Sequence, residues 1–350
     1  MSSKTPKHRL ESLDSGRHNR VRAWLADQRN DQARRLLETR RIFDDQVVTM
    51  DPHTHSEHSD GSATIADNRD AGLAAGIDVV FATDHRSQKQ KRSVRSIPSM
   101  SWGQEPGAKH HHIGLLCNTR LFVPKCDSIA QDIARARRLA PFVWIPHPAG
   151  WYPRKTYSEE QISALWTLAP SFAMEVINGA HKIGSAFDRF DAAAVEVWDR
   201  LLSDGIRVTP LGGSDAHTPE SIGCCWTAVM AREGAAVPEL IDALNEGRCM
   251  ASEAALLKIS VNGRPMGSTL RVSPRRRLTV RYKAADSAGL QNLSIVTGRR
   301  VRKTIYTRDA TLVEGSWSFV FGGERSIRFE ARSVDGRRAF SAPIYFERRR

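Results

Sequence analysis

Cysteine is scarce and unpatterned here. The chain holds five in 350 residues, at positions 117, 126, 224, 225 and 249, none in CxxC spacing. That excludes a disulfide framework and a thiolate-built zinc knot, and it predicts a reducing, cytoplasmic setting. No apolar run reaches the roughly 18–20 residues that span a bilayer. The longest candidate, AGLAAGIDVVFAT, is broken by Asp78, so no membrane partner is expected. The N-terminal stretch MSSKTPKHRLESLDSGRHNR is basic without an apolar segment behind it, which argues against a signal peptide. A GxSxG elbow, a Walker A loop and a Rossmann glycine pattern are also missing, so three common chemistries lack their usual sequence carriers.

What is present is unevenly distributed. The formal net charge is +13, and residues 255–350 hold 21 Lys and Arg against 7 Asp and Glu. The preceding 254 residues carry 31 basic and 32 acidic groups, so the whole excess lies in the C-terminal quarter. A separate basic module is predicted there. Residues 1–45 read as an amphipathic helical arm packing on the main domain, with Val21, Trp24, Leu25, Leu36, Leu37 and Ile42 set among charges. Over 46–254, short apolar runs alternate with helix-like segments, which predicts parallel β/α units in an open sheet or a closed barrel. Over 255–350, short alternating strands separated by Gly, Asp or Asn turns predict a small antiparallel β-sandwich.

Histidine makes the sharper pattern. The stretch DPHTHSEHSDG, residues 51–61, holds three of the chain's twelve histidines. Several other predicted strands end in a potential metal ligand: FAT runs into Asp84 and His85, WIP into His147, and LGGS into Asp215 and His217. The strand FAMEVI contains Glu175 and leads to Asn178. In β/α folds the C-terminal strand ends share one rim, so groups 160 residues apart can meet. His53 and His55 alternate to one side of an extended chain, and Gly61 is expected to turn the backbone through positive φ so that Asp60 comes back. Imidazole with carboxylate suits Mn, Fe or Zn. His58 reads as a solvated loop residue. Asp51 and Asp84, beside candidate ligands, are expected to orient imidazoles.

The set DPHTHSEHSDG, ATDH, GQE, HIGLL, IPHP, EVINGAH and GGSDAH resembles the PHP (polymerase and histidinol phosphatase) superfamily of metallohydrolases, over about residues 47–225 and in the family's order. The β-sandwich ending is similar to the carbaryl-hydrolase-like branch. The resemblance implies a distorted (β/α)7 barrel and up to three divalent metals. It assigns His53, His55, Glu105 and Asp215 to the first, and Glu105, His147 and a histidine of the 110–112 run to the second. Asp60, His85 and His217 go to the third. His112 is the expected member of the run, with His110 the alternative.

No protein nucleophile is implied, because a metal-bridging hydroxide would attack the substrate. The resemblance favours a small-molecule phosphoester; a carboxylic or carbamic ester is the alternative. Arg86, Arg154 and Lys155 are candidate phosphate contacts, and Trp151 and Tyr152 candidate walls for a leaving group. Basic clusters at 275–277, 299–303 and 348–350 raise nucleic acid as a less favoured partner, since no RRM-type aromatic signature accompanies them.

Overall fold

The computed structural model describes residues 15–151, 155–180, 182–184 and 187–349, with side chains from 27 onward except 29. Arg154 and Tyr152 therefore lie outside the described residues.

Strands β1 (Val48–Thr54), β2 (Val79–Ala82) and β3 (Met100–Gln104) run parallel, with helix α2 (Ile65–Ala74) crossing between the first two. The N-terminal helix α1 covers Ser15–Phe43. Thr64 caps α2, exchanging hydrogen bonds with Asp67 in a capping box. Strand β4 (Gly114–Leu116) then runs antiparallel to both β3 and β5 (Phe142–Ile145). This departs from the uninterrupted parallel alternation expected from sequence. Only residues 105–113 join β3 to β4, too few for the crossover of a dozen or more residues that a parallel neighbour requires. Helix α3 (Ile129–Ala136) precedes β5, and β6 (Ser171–Asn178), α4 (Arg189–Ser203) and β7 (Arg207–Gly213) restore the parallel sense.

The strand order β1-β2-β3-β4-β5-β6-β7 is contiguous. Its two ends meet at the rim through an isolated parallel bridge between Thr54 and Ala216, where the His55 amide donates to the Ala216 carbonyl at 2.8 Å. The ladders thus define a large mixed α/β sheet whose β1 and β7 ends meet at this rim, where the Ser214 amide and hydroxyl also donate to Asp51 at 3.0 Å and to the His53 carbonyl at 3.3 Å. On the far side of β1, β8 (Trp226–Val229) and β9 (Cys249–Ser252) add antiparallel strands, with α5 (Val237–Asn245) between them.

The C-terminal strands are β10 (Leu256–Val261), β11 (Thr269–Val272), β12 (Arg277–Ala285), β13 (Leu290–Thr297), β14 (Arg300–Tyr306), β15 (Leu312–Val320), β16 (Ser326–Ser333), β17 (Arg338–Ser341) and β18 (Ile344–Arg348). β10, β12 and β15 form one sheet, while β13 pairs with β14 and β16. Tyr282 of β12 stacks on Phe329 of β16 with ring centroids 5.1 Å apart, so the two sheets pack face to face. The sequence boundary at 254/255 does not interrupt the ladder: Met250 of β9 pairs with Ser341 of β17. The core is continuous as well, with Met50, Phe81 and Trp226 in one buried cluster with Val280, Leu293 and Phe329.

Helix α1 fastens both halves rather than the first alone. Arg35 donates to Asp286 at 2.8 and 2.7 Å and to Asp335 at 2.6 Å, and Arg40 donates to Asp78 at 3.0 Å. Asp286 is fully buried, so removing its partner strands a charge. Arg35→Ala is expected to cost about 3 kcal/mol of stability in chemical denaturation. An unchanged midpoint would mean that solvent reaches Asp286.

Candidate metal centre

The strand directions explain how the polar residues converge. β1, β2, β3, β5, β6 and β7 present His53 and His55, Asp84 and His85, Glu105, His147, Glu175 and Asn178, and Asp215 and His217 at or just beyond their C-terminal ends. Because β4 is reversed, the residue brought to the same rim is the one before it, His112. Its Nδ1 lies 2.6 Å from Glu105 Oε1, and His147 Nε2 lies 3.0 Å from the same oxygen. Glu105 Oε2 is 3.6 Å from the Nε2 atoms of both His53 and His55. Asp215 Oδ1 stands 3.3 and 3.1 Å from those two nitrogens. On the outer side Asp60 Oδ2 is 3.3 Å from His85 Nε2 and 3.4 Å from His217 Nε2, and Asp60 Oδ1 is 3.7 Å from His55 Nδ1. Three groups result, each compact enough to surround one cation: His53, His55 and Asp215; His85, Glu105 and His112; and His55, Asp60, His85 and His217.

The hydrogen bonds behind the cluster fix which nitrogen faces it. His53 Nδ1 donates to Glu175 Oε1 at 2.8 Å, His85 Nδ1 to the Glu105 carbonyl at 2.7 Å, and His217 Nδ1 to the Asp215 carbonyl at 2.9 Å. In each ring this directs the Nε2 lone pair to the centre, as acceptor partners do for metal-binding imidazoles. The facing Nε2 atoms of His53 and His55 are 3.2 Å apart. Two lone pairs at that distance repel unless a proton or a cation lies between them. His55 Nδ1 is buried with no hydrogen-bond partner among the described residues, and Glu105 Oε2 shares the single His85 Nδ1, at 2.8 Å, with the Glu105 carbonyl. An orphaned buried nitrogen is expensive, and a cation satisfies it. The donor set thus fits divalent metals of the Mn, Fe or Zn type.

The electrostatics agree. Burial pushes the Glu105 carboxyl up, but the His112 and His53 rings outweigh it and hold the acid well below its ordinary range. Asp215 and Asp60 are likewise depressed against burial by their histidine neighbours. Burial lowers His85, yet Asp60 and Glu105 raise it to about 11. Glu105, Asp215 and Asp60 therefore stay ionised, and without cations His53, His85 and His217 hold protons that metal binding must release. Two candidate ligands also sit at positive φ, His147 at 31° and Asp215 at 50°. For residues with a Cβ this strained geometry is typical of functional positions.

Several expectations change. Among the described residues, Asp51 and Asp84 bond backbone amides and serine hydroxyls rather than imidazoles. Asp51 accepts from the amides of Ser214 at 3.0 Å and Gly223 at 3.1 Å, and burial raises its carboxyl to about 6. Asp84 accepts from the Ser56 amide at 2.8 Å and the Ser59 hydroxyl at 2.7 Å. Both acids shape the backbone that carries the ligands. Gly61 is absent from the positive-φ residues, so conformational freedom is not its purpose. A Cβ there would lie 2.4 Å from the His55 carbonyl carbon and oxygen. The loop doubles back against β1 too tightly for any side chain. Gly61→Ala is expected to displace Asp60 and weaken the outer cation site by about tenfold or more; equal metal titrations of variant and wild type would contradict this.

His58 meets Ser93 at 3.3 Å, outside all three groups. His110 is spent on the Asp127 carbonyl, and His111 on the Gln161 carbonyl at 2.8 Å, its pKa lowered to about 4 by burial. Arg86 is exposed and forms no ion pair among the described residues. Lys155 lies over the Tyr157 ring at 5.6 Å.

Sequence reasoning misses Trp144, which donates to Glu175 at 3.2 Å, and Asn68, which holds the His55 carbonyl at 2.9 Å. Both read as ordinary strand and helix residues. It also misses why Gly213 is glycine: a Cβ would lie 2.8 Å from His53 Cβ and 2.9 Å from Glu175 Oε1. The GG pair ending β7 is the available signal.

A sequence-family profile described as PHP-associated matches residues 205–249, the stretch that carries Asp215 and His217. No curated protein matches the chain. Among solved structures, a two-domain protein of Bacteroides vulgatus described as containing a predicted PHP-like metal-dependent phosphoesterase aligns at 16% identity and a TM-score of 0.45. The alignment covers 85% of this chain and 94% of that one. A Bifidobacterium adolescentis protein, assigned only by inference as a metal-dependent phosphoesterase, aligns at 13% identity and a TM-score of 0.35, covering 48% and 87%.

Proposed function

We propose that the protein is a metal-dependent hydrolase acting on phosphoesters of small molecules. The observation carrying this reading is the position of Glu105. One buried carboxylate lies within 3.6 Å of His53 and His55 on one side and within 3.0 Å of His112 and His147 on the other. A single acid between two sets of imidazoles suits a pair of cations a few ångströms apart. Bound there, divalent ions would lower the pKa of water towards about 7 and offset charge on the oxygens of the group attacked.

The chain's own residues would prepare that site. Glu175 holds the His53 ring and accepts from the His147 amide at 2.9 Å, while Asn178 donates to Glu175 at 2.8 Å. Asp60, His85 and His217 would take a third cation on the solvent side, where Asp60 is half-exposed. Cys224, Cys225 and Cys249 are buried, and burial raises the thiols of Cys225 and Cys249. None of them is placed as a nucleophile.

Trp151, partly exposed, packs with ring centroids 4.6 Å from His147 and 5.2 Å from His112. Placed against these two rings, Trp151 would meet a leaving group beside a cation held by His112 and His147. Trp151→Ala is expected to raise KM for an aryl phosphoester by about five- to tenfold, as loss of one aromatic contact implies, and to spare an alkyl phosphoester. Equal effects on both would remove Trp151 from the leaving-group site.

The proposal is tested by assaying phosphomonoesters, phosphodiesters, aryl carboxylic esters and carbamates with Mn, Fe or Zn added back. Metal-dependent turnover of a phosphoester, lost in Asp215→Ala, is the expected result. Turnover confined to carboxylic or carbamic esters would move the substrate class to the alternative.

A further inference from the structure

We propose that a cleft in the C-terminal β unit binds a small polyanion with clustered phosphates. The cleft encloses about 530 Å³ and is lined by Arg264, Arg271, Arg276 and Arg349, with Asn262 and Thr269 between them. It shares no residue with the histidine cluster. That volume falls within the roughly 300–1,000 Å³ usual for small-molecule pockets.

The four arginines come from separate pieces of chain that the backbone draws together. Arg264 pairs with Val261 across the turn after β10. Arg271 lies on β11, which runs parallel to β18 with Arg271 opposite Glu347. The Arg349 amide donates to the Val272 carbonyl at 2.9 Å, and the Arg276 amide to the Ser273 carbonyl at 3.3 Å, closing the turn that leads to β12. The fold therefore fixes four guanidinium-bearing backbones around one concavity.

Counter-charge is short in that concavity, where one acid faces four arginines among the described residues. Glu347 is the acid that reaches it, at 3.3 Å from Arg271, and its other oxygen is taken by Arg207 at 2.7 Å. The remaining acids of this region serve elsewhere: Asp286 and Asp335 bind Arg35, Glu330 binds Arg328 and Arg338, Glu324 binds Arg302, and Glu314 binds Lys283. Asp309 does not line the cleft. Arg264, Arg276 and Arg349 form no ion pair among the described residues. The four arginines are exposed, and positive groups gathered around one concavity draw an anion whose binding relieves their mutual repulsion. Guanidinium groups match phosphate oxygens in bidentate geometry.

The shape favours a compact ligand over a nucleic-acid strand. A strand needs a basic track running over many residues, whereas these four arginines surround one cavity of about 530 Å³.

The test is calorimetric titration of the full chain with sodium tripolyphosphate, orthophosphate and single-stranded oligonucleotides of increasing length. Wild type and the His53→Ala variant should bind tripolyphosphate alike, and Arg264→Ala with Arg276→Ala should weaken it by about tenfold or more. Both arginines are exposed, so the fold should survive. If it does not, Arg264→Lys with Arg276→Lys, which keeps charge and loses the bidentate fork, should weaken binding by about threefold or more. No binding by wild type, or equal binding by wild type and the arginine variants, overturns the proposal. Affinity that rises with oligonucleotide length and vanishes in the arginine variants also overturns it, in favour of nucleic acid.

Discussion

Replacing Glu105 with glutamine is expected to strip most of the metal from the protein and to lower kcat/KM by roughly 10³-fold or more. The amide fills the same space, so the change isolates charge and ligand strength. Glu105 is fully buried and touches His53, His55, His85, His112 and His147. An amide oxygen is a weak ligand, and its NH₂ would point at ring nitrogens whose lone pairs should face a cation. Both neighbouring sites lose their shared anion in one step. Metal content by plasma mass spectrometry and steady-state kinetics read the two effects. A variant that keeps its metal and loses only turnover would confine Glu105 to positioning substrate.

Glu175→Gln should act differently, weakening metal affinity by about 10–100-fold while the ligand set stays complete. The carboxylate accepts four hydrogen bonds, from His53 and Trp144 on one oxygen and from the His147 amide and Asn178 on the other. Glutamine can accept on one oxygen only. Its NH₂ would face donors, leaving either the His53 ring or the strained His147 backbone without its anchor. Titration with Mn or Zn, monitored by the metal-dependent rise in melting temperature, measures the shift. If affinity is unchanged and stability alone falls, Glu175 belongs to the core and not to the centre.

The convergence of these histidines and carboxylates on one rim is largely legible in the sequence, and for several of them the reason is geometric. His53, His85, His147 and Asp215 each follow an apolar run, and strand ends share a rim in any β/α arrangement. The reversed β4 is harder to see, because GLL reads the same in either direction; the length of the 105–113 link is its only sign. Asp51 and Asp84 mislead because nearness to a histidine in sequence says nothing about which backbone amides a carboxylate meets. Gly61 misleads for a related reason: a glycine required by close approach looks the same as one required by φ. Long-range pairs such as Arg35 with Asp286, and the ladder joining β9 to β17, leave no local trace.

The central claim is that the histidine–carboxylate cluster holds at least two divalent cations. The most direct measurement is the metal content of the full chain after incubation with Mn, Fe or Zn and desalting, beside the same measurement on Asp215→Ala and His53→Ala. About two to three equivalents per chain in wild type, and fewer in both variants, is the predicted result. Wild-type protein that retains no more metal than the variants would contradict it.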